Sequence, residues 1–344
     1  MAKLTRNNSM KKRSLILGII LFLATANAHN IFPINQKLPL TDKLNVFKSI
    51  MINKFNIPQS TMDPIMKRIK QQLNSAQAKK AITSIKNPAE KKTWENYKKL
   101  FINKHVEDKG IEYIKTYKKT FNKALQKYHV SAKVITAISG VETRYGTNTG
   151  SYNALDALSS IAFNYGKREQ FFQKELANFI ILTQKNKLDP LSTKSSYAGA
   201  LGIPQFMPSS YLAYAVNENG AKAGNIDLLR DNRDSIMSIA NYLHIHKWKN
   251  RKFVVKNIHL NKSVIAQIKP DINNKKAYRK VSWYNNRGIL ITVNNPNLEF
   301  RIIKLNASNP ENEYWAVTRD FDAIMSYNPR HNYAMVVYQL SKAI

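Results

Sequence analysis

The spacing of apolar residues limits the fold most, and it changes once along the chain. From Thr41 to about Trp248 the spacing is mainly in steps of three and four, as in Ile114, Tyr117, Phe121, Leu125 and Tyr128. That is the period of helices with one buried face. Start signals stand where such runs begin: Asn87-Pro88 with Glu90, Ser131 ahead of Val134, and Pro208 ahead of Tyr211 and Leu212. Past Lys252 the pattern differs. The run Gly288-Ile289-Leu290-Ile291-Thr292-Val293, the turn Asn294-Asn295-Pro296 and the alternating Leu298, Phe300 and Ile302 predict a β-hairpin. Tyr314 to Val317 predicts a further strand, and Tyr333, Val336, Val337 and Leu340 return to helical spacing. An α+β fold follows, mainly helical, with a small sheet near its end. With 344 residues, 43 % of them hydrophobic, there is material for one large or two moderate cores, and disorder does not describe most of the chain. No internal repeat stands out.

The first residues predict export. Lys11-Lys12-Arg13 precede the apolar run Leu15 to Ala24, and Ala26-Asn27-Ala28 supplies small residues for cleavage after Ala28. A transmembrane anchor is the competing reading, but the run falls short of the roughly 20 residues that span a bilayer. The chain carries 54 Lys+Arg against 22 Asp+Glu, a net charge of +32. Loss of Lys3, Arg6, Lys11, Lys12 and Arg13 with the leader leaves +27, so the basicity belongs to the exported protein. Such a field attracts polyanions. Export favours an envelope polyanion over nucleic acid, although biased codon usage in a Lys-, Asn- and Ile-rich chain also produces basicity. The absence of cysteine excludes disulfides, a thiolate nucleophile, cysteine-rich zinc sites and lipid attachment through an N-terminal cysteine. The expected product is a soluble periplasmic protein.

Two segments hold candidate chemistry. Ser131 to Glu142 reads as a helix, with Gly146 as its C-terminal stop. Four and seven residues before Glu142 lie Ile138 and Ile135, which puts the carboxylate on the stripe that faces the interior. Desolvation there raises a carboxyl pKa, as a general acid requires. An ion pair with Arg144 or another base at the helix end is the structural alternative. The second segment, Ser195 to Ser210, combines small residues and two prolines that let backbone approach a ligand. Its Ser196 and Gln205 can donate and accept hydrogen bonds, as sugar hydroxyls require, or can serve only to satisfy a tight turn.

These residues carry a resemblance. Gly140-Val141-Glu142-Thr143-Arg144-Tyr145-Gly146, Leu155-Asp156-Ala157-Leu158 and Phe163-Asn164-Tyr165 resemble the B-type lytic murein transglycosylases. The likeness runs from Trp94-Glu95-Asn96-Tyr97 to the C-terminus through Tyr197-Ala198-Gly199-Ala200, Gln205-Phe206-Met207-Pro208-Ser209-Ser210, Ile239-Ala240-Asn241-Tyr242, Tyr327-Asn328 and Tyr333-Ala334-Met335, and is weakest between Lys252 and Asn312. It implies a lysozyme-like catalytic core with a small antiparallel sheet insertion. The expected divisions are a signal peptide at 1–28, an N-terminal helical region at 29–130, the core at 131–250, a β-rich insertion at 251–318 and C-terminal helices completing the core at 319–344. It also implies Glu142 as single acid and base, with Tyr97, Arg168, Ser196, Gln205, Tyr242, Tyr327, Asn328 and Tyr333 lining the groove. The implied reaction cleaves the β-1,4 bond between N-acetylmuramic acid and N-acetylglucosamine and forms 1,6-anhydromuramoyl ends. Peptidoglycan glycan strands are the expected partner, with other cell-wall enzymes as candidate companions. Neither nucleic acid, a stable membrane anchor nor a cofactor is expected.

The chain departs from the family in two places. Where members carry paired arginines this one has Lys167-Arg168, exchanging one bidentate contact for a point charge. Some relatives carry an EF-hand-like calcium loop where this chain has Asn217-Glu218-Asn219-Gly220-Ala221-Lys222-Ala223-Gly224-Asn225-Ile226-Asp227. Calcium takes about six to eight oxygen ligands, several of them charged, so with few acids and an intruding Lys222 weak or no binding is expected. Other frames fail. His244 and His246 are two apart, there is no H-E-x-x-H, and neither a Gly-x-Ser-x-Gly elbow nor a phosphate-cradling loop is present. Retaining glycosidases use a second carboxylate about 5 Å away; none is evident, and Asp156 reads as a capping or packing residue. A hydrolytic muramidase and a catalytically silent murein-binding protein remain alternatives.

Overall fold

The computed structural model describes residues 34–86, 93–222, 225–249, 255–307 and 314–344. The signal-peptide reading of 1–28 and the start signal at Asn87-Pro88 and Glu90 lie outside the described residues. The chain forms two compact units. Of the described residues, one comprises those up to Lys86, Gly150–Ala200 and Phe206–Ala213; the other comprises those from 93 to Thr149, Leu201–Gln205 and those from Tyr214 to Ile344.

In chain order, the first unit holds α1 (Leu40–Asn53), α2 (Gln59–Gln72) and α3 (Ala76–Lys86). The second then contributes α4 (Trp94–Lys98), α5 (Lys104–Thr116), α6 (Lys118–Tyr128) and α7 (Ala132–Thr143). The first unit resumes with β1 (Tyr152–Asn153), α8 (Ala154–Asn164), α9 (Glu169–Asn186), β2 (Lys194–Ser195) and α10 (Pro208–Tyr214). The second ends with α11 (Asn232–Ile245), β3 (Val255–Ile258), α12 (Lys262–Ile268), β4 (Arg279–Lys280), α13 (Val281–Asn285), β5 (Glu299–Lys304), β6 (Tyr314–Val317), α14 (Arg319–Tyr327) and α15 (His331–Ala343). Among the described residues no helix is long and apolar enough to cross a membrane.

In the first unit α8 is buried from Ala154 through Phe163 and packs against α9, α3 and α2. Its start is fixed by Asn153, whose Oδ1 accepts from Asp156 N at 3.1 Å. Asp156, 2 % exposed, takes Arg68 Nε at 2.9 Å and Nη2 at 2.6 Å. This bidentate pair satisfies a charge that burial would otherwise penalise.

In the second unit α7 is the central helix, with Val134 through Gly140 buried and α15, α5, α11 and α6 packed around it. Gly140 is needed because a Cβ there would meet the Tyr145 ring at 2.8 Å. The sheet has the antiparallel order β3-β6-β5-β4. One face covers its own apolar cluster, including Ile268, Tyr284, Phe300, Ile302 and Tyr314. On the other face Arg301, with no exposed surface, donates from Nη2 to Asp322 Oδ1 at 2.5 Å and so links β5 to α14.

Three local expectations change. The hairpin arm at 288–293 is not a strand. Ile289 and Ile291 are buried and Leu290 is 80 % exposed, so the alternation is present. Yet Ile289 N donates to Tyr284 O and Ile291 N to Asn285 Oδ1, while β5 pairs with β4 and β6 instead. The stripe from Ile114 to Tyr128 spans two helices that meet at Tyr117 (φ −103°, ψ 24°), and Leu125 is exposed. Finally α7 stops at Thr143, with Arg144 rather than Gly146 in the left-handed cap (φ 52°). That conformation costs a non-glycine residue about 1–2 kcal/mol. It is offset by Arg144 N donating to Gly140 O at 3.1 Å, by Tyr145 N donating to Ser139 O at 3.2 Å, and by the Arg144 guanidinium, which donates to Leu100 O and lies 5.4 Å from the Phe101 ring centroid.

Candidate active site

Glu142 lies one residue before the end of α7, above Ile138 and Ile135, both fully buried. The helical stripe therefore delivers a carboxylate to the edge of the core, as its spacing predicts. The next residue holds the helix end in place: Thr143 Oγ1 donates to Ile203 O at 2.9 Å and accepts from Gly146 N at 3.0 Å. This ties α7 to the segment Leu201–Gln205.

Tyrosines surround the acid. Tyr333, near the start of α15 and 2 % exposed, donates its hydroxyl to Glu142 Oε1 at 2.6 Å. The Tyr327 ring, at the end of α14, lies nearly parallel to that of Tyr333, with centroids 6.4 Å apart, and its hydroxyl donates to Pro204 O. Tyr242, on α11, meets Tyr327 edge-on at 4.8 Å and donates to Ser326 O at 2.6 Å. Tyr97, on α4, is buried, and its phenol feels the Glu142 charge. Gln205, with φ 49°, spends its amide N–H groups on Thr149 O at 3.1 Å and Gly202 O at 2.8 Å. Asn328 follows Tyr327 directly, half-buried, where the backbone turns extended.

The electrostatics follow from this packing. Desolvation pushes the Glu142 carboxyl up from 4.5 to about 7, and the Tyr333 hydrogen bond, which favours the anion, offsets part of that rise. The phenols of Tyr333, Tyr327 and Tyr97 are raised, first by burial and then by the nearby Glu142 charge. They stay protonated, and those of Tyr333 and Tyr327 act as neutral donors. The arrangement can keep a proton on one carboxyl near neutral pH and deliver it.

Arg168 and Ser196 belong to the first unit. Arg168 is exposed, with its guanidinium 4.3 Å from the Phe171 ring centroid and 5.3 Å from that of Phe172. Ser196 Oγ accepts from Ala198 N at 3.3 Å and Ala200 N at 3.1 Å, so it supports a turn and retains a proton to donate. Sequence reasoning missed Thr143 and His246. The His246 ring stacks on Tyr242 at 4.0 Å with planes 17° apart, a contact that the i, i+4 spacing of these two residues signals. Nothing in the sequence signals the bond from Thr143 to Ile203.

Around the turn beginning at Asn217 the carboxylates have partners within the protein. Glu218 pairs with Arg233 Nη1 at 3.2 Å. Asp227 Oδ1 accepts from Leu229 N and Arg230 N, and Asp234 Oδ2 from Asp227 N. Among the described residues no group of three or more His, Asp or Glu side chains could hold a metal ion.

Comparison with known proteins gives the family. The sequence profile of the Transglycosylase SLT domain family matches residues 41–342. The chain is 32 % identical over 323 residues to membrane-bound lytic murein transglycosylase B of Escherichia coli (strain K12), covering 92 % of this chain and 86 % of that protein. The crystal structure of the soluble lytic transglycosylase SltB1 from Pseudomonas aeruginosa superposes with a TM-score of 0.76 at 31 % identity, covering 88 % of this chain and 97 % of that one. The Escherichia coli lytic transglycosylase Slt35 in complex with calcium gives a TM-score of 0.72 at 30 % identity, covering 87 % and 91 %. A carboxylate at the end of a buried helix, set among tyrosines in a lysozyme-like fold, thus accompanies similarity along almost the whole chain, and the protein belongs to the transglycosylase SLT domain family as a peptidoglycan-cleaving lytic transglycosylase.

Proposed function

We propose that Glu142 is the single acid and base of the reaction, and that the product carries a 1,6-anhydromuramoyl end. The observation that carries this reading is the carboxyl raised to about 7 while held by Tyr333 at 2.6 Å. Oε1 accepts from Tyr333, which leaves Oε2 for the proton. That proton passes to the glycosidic oxygen between N-acetylmuramic acid and N-acetylglucosamine as the C1–O bond breaks. The carboxylate left behind removes a proton from the C6 hydroxyl of the same muramoyl residue, O6 bonds to C1, and Glu142 is protonated again. No water enters, and proximity within one sugar makes the internal nucleophile effective. The acid Asp156 is committed to Arg68 and is not available as a nucleophile.

Tyr97, Gln205, Tyr242, Tyr327, Asn328 and Tyr333 are proposed to bind glycan, with Arg168 and Ser196 contributing from their own unit. Mass spectrometry of products from purified sacculi tests the reaction. Anhydro ends are expected; products heavier by one water would make the enzyme a hydrolase. Export to the periplasm, where the glycan strands are, is proposed on Lys11-Lys12-Arg13 and the apolar run Leu15 to Ala24. Sequencing the mature protein should then find His29 first, and an N-terminus still carrying the leader would contradict cleavage.

A further inference from the structure

The chain between Tyr214 and α11 folds into a tight turn at Asn217–Ala221. Its backbone closes on itself: Asn217 N donates to Ala221 O at 2.8 Å, and Gly220 N to Asn217 O at 2.7 Å. Asn217 Oδ1 turns inward and accepts from Asn219 N at 2.9 Å and Ala221 N at 3.0 Å. Carbonyl oxygens crowded in this way make a concentration of negative dipole ends, the setting in which a calcium loop places its cation. Here Glu218 pairs with Arg233, and Asp227 and Asp234 accept from backbone amides.

Lysines come instead from the neighbouring helix of the same unit. Lys127, in the last turn of α6, donates its ammonium to Gly220 O at 2.7 Å and to Asn219 O at 3.3 Å. Lys123, one helical turn earlier, donates to Asn219 Oδ1 at 2.8 Å. Gly220 is required for this approach. Its φ is +72°, and a Cβ at that position would lie 2.7 Å from Lys127 Nζ. A lysine 93 positions from Gly220 thus brings a cation to these oxygens.

We propose that the Lys127 ammonium is the resident cation of the Asn217–Ala221 turn, held by a covalently attached charge. An ammonium supplies three donors to carbonyl oxygens and is never lost to a chelator. A second cation at the same oxygens would meet like charge and a site short of carboxylates. The turn is thus independent of divalent metal.

Hydrogen exchange on the full chain without substrate tests this, independently of the catalytic reading. Lys127→Met keeps the aliphatic stem and removes the charge. The amides of Asn217, Asn219, Gly220 and Ala221 should then exchange about tenfold faster or more, the scale of losing a charge-assisted bond. Lys127→Arg should retain most of the protection, and Lys119→Met on the same helix should change nothing in the turn. Retained protection of the α6 amides shows that a variant is folded. In the native protein millimolar calcium should leave all four rates unchanged. Unchanged rates in Lys127→Met would overturn the proposal, and so would saturable protection of the native turn by calcium.

Discussion

Replacing Glu142 by Gln should stabilise the protein, and only above mildly acid pH. A carboxyl raised from 4.5 to about 7 binds a proton more readily folded than unfolded. Between these values the native state holds the extra proton, so stability falls as pH rises. Below 4.5 both states are protonated and there is no penalty; above about 7 both are ionised and the whole penalty is present. The shift corresponds to about 3 kcal/mol at about 1.4 kcal/mol per pKa unit. Gln has nearly the same shape, can still accept from Tyr333, and carries no charge to desolvate. Urea unfolding of native and variant protein at pH 4 and at pH 8 measures this difference. The two should unfold at similar urea concentrations at pH 4, while at pH 8 the variant should need more urea although it is inactive on sacculi. A stability difference that does not change between the two pH values would refute the reasoning, because Glu142 would then titrate alike in both states.

Tyr333→Phe removes the bond that favours the anion, so the Glu142 pKa should rise further, by about one unit or more; the alkaline limb of the pH–rate profile should move to higher pH. Gly140→Ala drives a methyl group to within 2.8 Å of the Tyr145 ring and should cost about 1–3 kcal/mol, read as a lower thermal midpoint. Exposed charges are screened over about 8 Å at physiological salt and over less in concentrated salt, so rising salt should weaken pelleting of the Glu142→Gln protein with sacculi. Turnover of a soluble glycan at saturation should fall much less, and salt-insensitive pelleting would point to compositional bias as the source of the basicity.

What was legible in the sequence was what depends on periodicity and local chemistry. Ile135, Ile138 and Glu142 share a face because the helical repeat requires it, and burial follows once that face meets a core. The partners of that face come from far along the chain. Tyr333 is 191 positions from Glu142, and only the family resemblance, not spacing, pointed to it. The failed hairpin shows a different limit. Alternation at Ile289, Leu290 and Ile291 records which side chains are buried, but not which groups accept the N–H bonds, and those of Ile289 and Ile291 go to Tyr284 and Asn285 of α13 rather than to β5. The left-handed stop at Arg144 was misread as Gly146 because propensity favours glycine there, whereas a bond to Leu100 O and the Phe101 ring hold the arginine in it.

The choice of neighbours separates the acid at the site from the carboxylates that only hold the fold. In a chain with 54 Lys and Arg, Asp156 is gripped by Arg68, Asp322 by Arg301 and Glu169 by Lys43. Each of these carboxylates thus has a cation as its hydrogen-bonded partner, which satisfies its charge within the fold. No such cation contributes to the state of Glu142, which is set by desolvation and by the hydroxyl of Tyr333. A phenol offers direction and a hydrogen bond without a full charge, so it orients the carboxyl while leaving its proton within reach of neutral pH. Introducing a lysine or arginine at Tyr333 would supply an equally good donor and still silence the site, because it would pull the carboxyl back towards its ordinary value and leave no proton to give.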